Sequence, residues 1–161
     1  GHGDLIPFDM GGTSTDISLI AGGEAAIASD RKLAGQRVGL QSLDIVSIGA
    51  GGGSIARVDA GGVLHVGPES AGALPGPACY GRGGTVATVT DANLVLGYLD
   101  AANFLGGRAT LDAAAAEQAV DRVAEALGVD RMTAAEGVHR VVNTRMAEGV
   151  RRNTCGWIIS M

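Results

Sequence analysis

Aromatic side chains and basic charge are both scarce in this 161-residue sequence. Phe, Trp and Tyr make up 3% of it, so the core must be built from Ala, Val, Ile and Leu. There are 12 Lys and Arg against 17 Asp and Glu, and the formal net charge is −5. A nucleic-acid-binding surface needs a basic footprint, so none is expected. No apolar run approaches the roughly 18–20 residues of a membrane span, so no membrane insertion is expected either.

Cysteines and the common nucleotide-binding signatures are also nearly absent. The two cysteines, Cys79 and Cys155, form no spaced framework, which is typical of a reducing cytoplasm. The P-loop pattern GxxxxGK[ST] does not occur. The dinucleotide pattern GxGxxA is satisfied once, from Gly51 to Ala56. A Rossmann site would need a full helix after it, and Asp59-Ala60-Gly61-Gly62 would break that helix within two turns.

Glycine, by contrast, is abundant, with 27 residues, and the most informative run surrounds Gly11 and Gly12. One apolar segment ends near Asp9, and another begins at Asp16. Between the glycines and Asp16 lie three hydroxyl residues: Thr13, Ser14 and Thr15. Because glycine lacks a Cβ, backbone N–H groups can approach an oxyanion here, and the hydroxyls add donors. The two acids would hold Mg²⁺ or its waters beside a phosphate, so the run predicts a triphosphate-binding hairpin. A Gly-Gly β-turn with polar neighbours is the alternative.

Strands are predicted in the first two-thirds of the chain and helices in the last third. The predicted strands span residues 5–10, 15–21, 25–29, 43–48, 55–59 and 63–66, the last two as a hairpin. Residues 67–90 hold three prolines and many glycines, which predicts an ordered loop.

Three helices are predicted from periodicity and capping residues. Helical periodicity begins near Thr90. Asp112 and Gly128 would cap a second helix over 113–127. A capping box that begins at Thr133 would open the third helix. The apolar positions that recur at helical spacing in this third helix are Val138, Val141, Val142 and Met146.

Three long motifs occur in order along the chain: DMGGTSTD, LDIVSIGAGGGSIARVD and GPESAGALPGPACYGRGGTVATVTDANLVLGYLD. On these motifs, the chain from Asp4 to Asn153 resembles the hydantoinase A / 5-oxoprolinase family. These are ATP-dependent enzymes of the actin–sugar kinase–heat-shock ATPase superfamily. The resemblance implies an α/β fold, an RNase-H-like (actin-like ATPase) lobe with strand hairpins followed by helices. Residues 1–153 would form part of a hydantoinase A-type ATPase domain. Residues 154–161 depart from the family pattern and are interpreted as an atypical tail, frame-shifted or truncated.

The resemblance also implies a role for each glycine-rich segment. ATP would lie between two lobes, and the turn described above would be the second of two phosphate turns. Asp9 would orient Mg²⁺-bound water, and Asp16 would hold the turn or the metal shell. The residues implied to bind the cofactor at this turn are Gly11, Gly12, Thr13, Ser14 and Thr15. A second loop would line the nucleotide or substrate in the same cleft through Gly51, Gly52 and Gly53. The alternative for that loop is a bend that lets two strands pack.

Several other residues have more than one interpretation. Asp44, Cys79 and Asp91 could converge on a metal ion, but many relatives carry His where this chain has Val46, which weakens that hypothesis. Cys79 alone is more typical of a small buried apolar residue. Asp91 is more typical of a helix-start acid than of a catalytic base. His65 is expected to be structural or on the surface.

The activity implied by the resemblance is ATP-dependent hydrolysis of a cyclic amide through phosphoryl activation of the ring amide. A hydantoinase B-type subunit or domain is the implied partner. One alternative is a lobe of an ATP-dependent ketone carboxylase of the acetone or acetophenone type, and another is an inactive truncated lobe. The family's catalytic chains are several times longer, so this chain looks like a fragment. We expect negligible activity from the 161 residues alone, because the other phosphate turn and the adenosine motif are missing.

Overall fold

Short antiparallel strands occupy the first half of the chain and helices occupy the second. The computed structural model describes residues 2–28, 31–33, 35–39 and 41–158. The strands are β1 Phe8–Met10, β2 Thr15–Ile17, β3 Ile20–Ala21, β4 Glu24–Ala25, β5 Ile27–Ala28, β6 Arg31–Leu33, β7 Gln36–Val38, β8 Ser42–Leu43, β9 Val46–Ile48, β10 Ser54–Val58 and β11 Leu64–Ser70. The helices are α1 Val89–Val95, α2 Ala113–Leu127 and α3 Arg131–Ile158, with a 3₁₀ turn at Ala78–Tyr80. The predicted α/β class, with hairpins first and helices after, is confirmed.

A three-stranded antiparallel sheet carries the first glycine turn. Its strand order is β1-β2-β9, with β2 in the centre. Asp9 pairs with Asp16 across β1 and β2, and Thr15 pairs with Ile48 across β2 and β9. The side chains of β2 alternate, so Thr15 and Ile17 are buried while Asp16 is exposed. The sheet therefore has one face on the core and one face that presents its acids.

The hairpin of β10 and β11 is longer than the sequence predicted. The predicted second strand stopped at Val66 because Gly67 and Pro68 indicate a loop. In the structure β11 continues to Ser70, with a register irregularity between the Ser54↔Ser70 and Ala56↔Val66 pairs. An irregularity of this kind accommodates extra residues in one strand without ending the pairing. The predicted loop at 67–90 is thus shortened at its start.

Several predicted strands divide where their pairing partner changes. The predicted strand at 15–21 becomes β2, which pairs with β1 and β9, and β3, which pairs with β4. The predicted strand at 43–48 likewise becomes β8, paired with β5, and β9, paired with β2. The predicted strand at 25–29 divides between β4 and β5, and its last residue lies outside the described residues. Apolar runs in the sequence show extended backbone but not these exchanges of partner.

The three helices pack together and against the β10–β11 hairpin. The largest fully buried side chains of the main core are valines, each 0–1% exposed: Val66, Val89, Val120, Val138 and Val142. No aromatic residue belongs to the buried set of that cluster, as the composition required. The caps predicted for α2 are confirmed: Asp112 accepts a hydrogen bond from the N–H of Ala115 at 2.9 Å, and Gly128 ends the helix in the left-handed conformation.

The other helix boundaries differ from the prediction. Thr88 caps α1, so the helix begins one residue before Thr90. The third helix begins at Arg131 because Asp130 accepts hydrogen bonds from the Thr133 N–H (3.0 Å) and hydroxyl (2.6 Å). Thr133 therefore lies inside the first turn and is not the cap. Helix α3 continues to Ile158, past the predicted start of an atypical tail at 154. Within the residues described, no helix combines the length and the apolar character needed to cross a membrane.

Helix α3 reaches the sheet through Gly149, and this contact gives a testable prediction. A Cβ on Gly149 would lie 3.0 Å from Cδ1 of Ile48 and 3.1 Å from Cδ1 of Ile17. Gly149→Val should therefore overpack the interface and lower the free energy of unfolding by about 1–3 kcal/mol. Ala147→Val, at an exposed position of the same helix, is the matched control. Equal urea midpoints for the two variants would contradict this account of the interface.

Candidate nucleotide site

The first glycine turn presents free backbone donors at the end of β1. Met10 pairs with Thr15, and the N–H of Gly11 donates to the Ser14 carbonyl at 2.8 Å, which closes the turn. Among the residues that the structure describes, the N–H groups of Gly12, Thr13 and Ser14 donate to no protein acceptor. Gly11, Gly12 and Thr13 are exposed. Successive unpaired N–H groups with an adjacent hydroxyl form a cradle that suits an oxyanion.

Asp9 and Asp16 lie directly opposite each other beneath this turn. Directly opposite residues of antiparallel strands project from the same face, and both aspartates are exposed. Mg²⁺ typically binds one or two protein carboxylates and completes its octahedral shell with phosphate oxygens and waters. Residues 2–28, 31–33, 35–39 and 41–158 contain no group of three or more His, Cys, Asp or Glu residues suited to a metal ion. The two aspartates fit a Mg²⁺ ion that arrives with a phosphate.

Thr15 differs from the expectation that it binds the cofactor. Its side chain is 0% exposed on the core face of β2. Its hydroxyl donates to the Ala50 carbonyl at 2.6 Å and also approaches Sδ of Met146 at 3.6 Å. Alternation along β2 explains the difference, because Asp16 and Thr15 must project to opposite faces. Thr15 therefore ties the strand to the second glycine loop.

The second glycine loop lies against the first turn, backbone to backbone. The N–H of Gly52 donates to the Gly11 carbonyl at 3.0 Å, and that of Gly53 donates to the Gly12 carbonyl at 2.6 Å. The N–H of Gly51 is bonded to Oγ of Ser54 at 2.9 Å. The structure thus brings the two predicted glycine segments together. All three N–H groups of the second loop are already bonded within the protein. Two of these hydrogen bonds hold the backbone of the first turn, so the loop positions that turn.

Two residues at this junction were missed by the sequence analysis, Ser70 and Thr90. Oγ of Ser70 lies 3.4 Å from Oγ1 of Thr13. The N–H and the hydroxyl of Thr90 both donate to the Gly52 carbonyl at 2.8 Å. Ser70 falls in a segment predicted as loop, and its position depends on the register irregularity of β11. The sequence carries no local signal of that register.

The metal site considered for Asp44, Cys79 and Asp91 is not formed among the residues that the structure describes. Asp91 is 0% exposed and its carboxylate accepts hydrogen bonds from four donors: the N–H groups of Ala78, Cys79 and Thr88 and the Thr88 hydroxyl. Burial, with the nearby charge of Asp91, strongly raises the pKa of the Cys79 thiol, so it stays protonated. Cys79 is a buried apolar residue and Asp91 is a helix-start acid, as their more typical interpretations predicted. Asp44 lies between β8 and β9 and joins no metal-binding group in the described part of the chain.

His65 has the surface role predicted for it. Its Nε2 lies 2.7 Å from Oδ2 of Asp59, and both side chains are about half exposed. Asp59 also accepts hydrogen bonds from the N–H groups of Gly61 and Val63. The bond from Val63 and then that from His65 lower the pKa of Asp59. The pair organises the turn between β10 and β11.

Comparison with known proteins gives relatives that are similar to this chain over most of its length. The chain is 48% identical over 153 residues to the caprolactamase subunit alpha of Pseudomonas jessenii, covering 94% of the chain and 22% of that subunit. It is 50% identical over 95 residues to 5-oxoprolinase 1 of Arabidopsis thaliana, covering 59% of the chain and 7% of that enzyme. A nucleotide-free structure of acetone carboxylase superposes with a TM-score of 0.86 at 34% identity, covering 97% of the chain and 22% of that structure.

These relatives are therefore much longer than the chain, which spans about a fifth of the caprolactamase subunit. The family model described as hydantoinase/oxoprolinase matches residues 1–156, nearly all of the sequence. The match includes both glycine loops, β11, α1, α2 and all but the last two residues of α3. The chain belongs to the hydantoinase/oxoprolinase family.

Proposed function

We propose that this chain is the part of an ATP-dependent cyclic-amide hydrolase that holds one of its two phosphate turns. The observation that carries the proposal is the turn between β1 and β2, where three N–H groups without a protein acceptor lie beside two opposed, exposed aspartates. Two relatives support the choice of reaction, since one is an ATP-dependent caprolactamase and another is a 5-oxoprolinase. Caprolactam and 5-oxoproline are both ring amides.

The chemistry requires an electrophile better than an amide. In the proposed reaction the ring amide oxygen attacks the γ-phosphorus of ATP, a P–O bond forms, and the bond to the β-phosphate oxygen breaks with release of ADP. Water then adds to the activated carbon, and the C–N bond breaks, which opens the ring to a free amine and an acyl phosphate. A second water hydrolyses the acyl phosphate to a carboxylate and inorganic phosphate. Phosphoryl transfer depends mainly on positioning and charge neutralisation, so a donor-rich turn is the appropriate protein contribution.

Each site residue has a defined part in this proposal. The N–H groups of Gly12, Thr13 and Ser14 and the Thr13 hydroxyl bind phosphate oxygens, and Gly11 shapes the turn. Asp9 and Asp16 would hold Mg²⁺, which would supply positive charge beside the phosphates. The second glycine loop acts indirectly, and its occupied N–H groups support a positioning role. The sequence predicted that Gly51, Gly52 and Gly53 contact the cofactor. In this proposal they instead keep the first turn in its binding conformation.

A ketone carboxylase is the second candidate, because the acetone carboxylase structure superposes over 97% of the chain. The same phosphate turn would then serve phosphorylation of an enolate. Coupled assays on the complete protein separate the two candidates. ADP release that depends on a lactam supports the hydrolase, and ADP release that depends on a ketone together with bicarbonate supports the carboxylase. The names of two relatives describe them as subunits, which supports a partner subunit. We propose that this partner is of the hydantoinase B type and that the protein acts in the cytoplasm.

The carboxylate of Asp9 provides the direct test. Asp9→Asn removes a charge that would help to hold Mg²⁺, so we expect lactam-dependent ADP release by the complete protein to fall at least about a hundredfold. Asp100→Asn is the matched control, since that exposed carboxylate only accepts a hydrogen bond from the Ala102 N–H, which Asn can also accept. If Asp9→Asn retained full turnover at saturating Mg²⁺, the proposed role of this turn would be refuted.

A further inference from the structure

Ser70 reaches the phosphate turn because of the irregular pairing of β10 and β11. Three residues of β11 lie between Val66 and Ser70, while one residue of β10 lies between their partners Ala56 and Ser54. Extra residues of this kind bend a strand and re-aim its side chains. The end of β11 is thereby turned towards the tip of the first glycine turn, where Ser70 lies beside Thr13.

Ser70 accepts one hydrogen bond, which leaves its hydroxyl proton free to be donated at that tip. The N–H of Gly72 donates to Oγ of Ser70 at 3.1 Å, which occupies one lone pair. The separation of 3.4 Å between Oγ of Ser70 and Oγ1 of Thr13 is longer than the roughly 2.5–3.0 Å of an ordinary O–H···O bond. Two hydroxyls at this spacing can both donate, at normal length, to one anionic oxygen placed beside them.

The surrounding backbone holds Ser70 in this position. The N–H of Ala71 donates to the Gly53 carbonyl at 2.8 Å. A Cβ on Gly53 would lie 2.8 Å from Oγ of Ser70, so the absence of a side chain there lets the serine approach the turn. Ser70 is only partly buried, which leaves its hydroxyl accessible to a ligand. The bond from the Gly72 N–H alone does not explain why Oγ of Ser70 lies so close to Oγ1 of Thr13.

We propose that Ser70 is a further ligand-binding residue, whose hydroxyl donates to the phosphoryl oxygen that the Thr13 hydroxyl also contacts. The inference rests on the proposed function, because it takes the anion at the turn to be the phosphate chain of ATP. It adds a third segment to the site, the end of β11, beside the first turn and its supporting glycine loop. Ser70 then contributes both to binding ATP and, through its hydrogen bond, to stabilising the negative charge on the phosphoryl oxygen during transfer.

Nucleotide binding by the complete protein tests this assignment. Ser70→Ala should weaken ATP binding about tenfold or more, as expected for a lost hydrogen bond to a charged group. Ser70→Thr, which keeps the hydroxyl, should stay within about threefold of the parent protein. Thr13→Val combined with Ser70→Ala should weaken binding by less than the product of the single effects, because both hydroxyls bind one oxygen. Isothermal titration calorimetry with ATP measures each dissociation constant.

Two control variants separate ligand contact from a structural role. Ser54→Ala removes a buried hydroxyl that accepts from the Gly51 N–H, so it should lower the melting temperature together with ATP affinity. Thr110→Ala changes an exposed hydroxyl in another loop and should alter neither. Ser70→Ala should weaken ATP binding without the fall in melting temperature seen for Ser54→Ala.

The possible failures are distinguishable. Failure of the parent protein to bind ATP would overturn the proposed function and this inference together. If the parent protein binds ATP and Ser70→Ala binds it equally well, only the role of Ser70 is refuted. A loss of binding by Ser70→Ala that follows its melting temperature, and that Ser70→Thr does not restore, would identify Ser70 as purely structural.

Discussion

Replacing Gly51 with alanine is expected to reduce ATP binding and turnover at least a hundredfold, although its N–H is bonded within the protein. A Cβ at this position would lie 2.7 Å from the Gly11 carbonyl oxygen and 2.8 Å from the carbonyl carbons of Gly12 and Thr13. These contacts are with backbone atoms, which cannot rotate away as a side chain can. The alanine must therefore displace the turn that presents the phosphate donors, and donor geometry controls catalysis of this type.

The same substitution should also lower the free energy of unfolding, by about 1–3 kcal/mol, because overpacked sites force the backbone to shift. Gly12→Ala is the informative control, since its Cβ would meet no atom within 4 Å and its backbone is not left-handed. That variant should keep the stability of the parent protein. Urea unfolding and ATP titration of both variants check these expectations. Unchanged ATP affinity in Gly51→Ala would show that the second glycine loop does not position the turn.

The local features of the site could be predicted from the sequence because they depend on neighbouring residues. The glycine pair, the hydroxyl residues and the two acids fall within Asp9–Asp16, and the hairpin that places the acids opposite each other follows from that short turn. The caps of α2 at Asp112 and Gly128 are equally local. A capping residue and the helix it starts are separated by only a few positions, so the signal survives without knowledge of the tertiary fold.

The long-range features could not be predicted in this way. The burial of Thr15 depends on which face of β2 meets the helices, and the local sequence does not show this. The Thr15 hydroxyl was predicted to bind the ligand, but in the structure it donates to the Ala50 carbonyl. Gly52 and Gly53 were expected to line the nucleotide or the substrate, because nothing local shows that their N–H groups bond to the carbonyls of the first turn. In each case the hydrogen-bond partner lies about 35–41 residues away in the sequence, at Ala50 for Thr15 and at Gly11 and Gly12 for the two glycines.

Asp91→Asn is expected to cause the largest loss of stability among the substitutions considered. The side chain is 0% exposed, and its two carboxylate oxygens accept four hydrogen bonds. An asparagine amide has one oxygen and one NH₂ group, so at least one buried donor would face another donor. The four donors belong to the segment before α1 and to the 3₁₀ turn, so the carboxylate joins two parts of the chain. Hydrogen bonds to a charged group contribute about 1.5–3 kcal/mol and a buried unsatisfied donor costs about 1–3 kcal/mol, so the loss of stability should be about 3–5 kcal/mol.

The result should be a fall in melting temperature of about 6–20 °C for a chain of this size. Asp112→Asn is the matched control, because Asn caps helices as well as Asp and this exposed residue accepts only the Ala115 N–H. That variant should unfold within about 0.5 kcal/mol of the parent protein. Calorimetry of both variants makes the comparison. Equal melting temperatures would mean that the four hydrogen bonds do not depend on the negative charge. The structural role assigned to the Asp91 carboxylate would then be refuted.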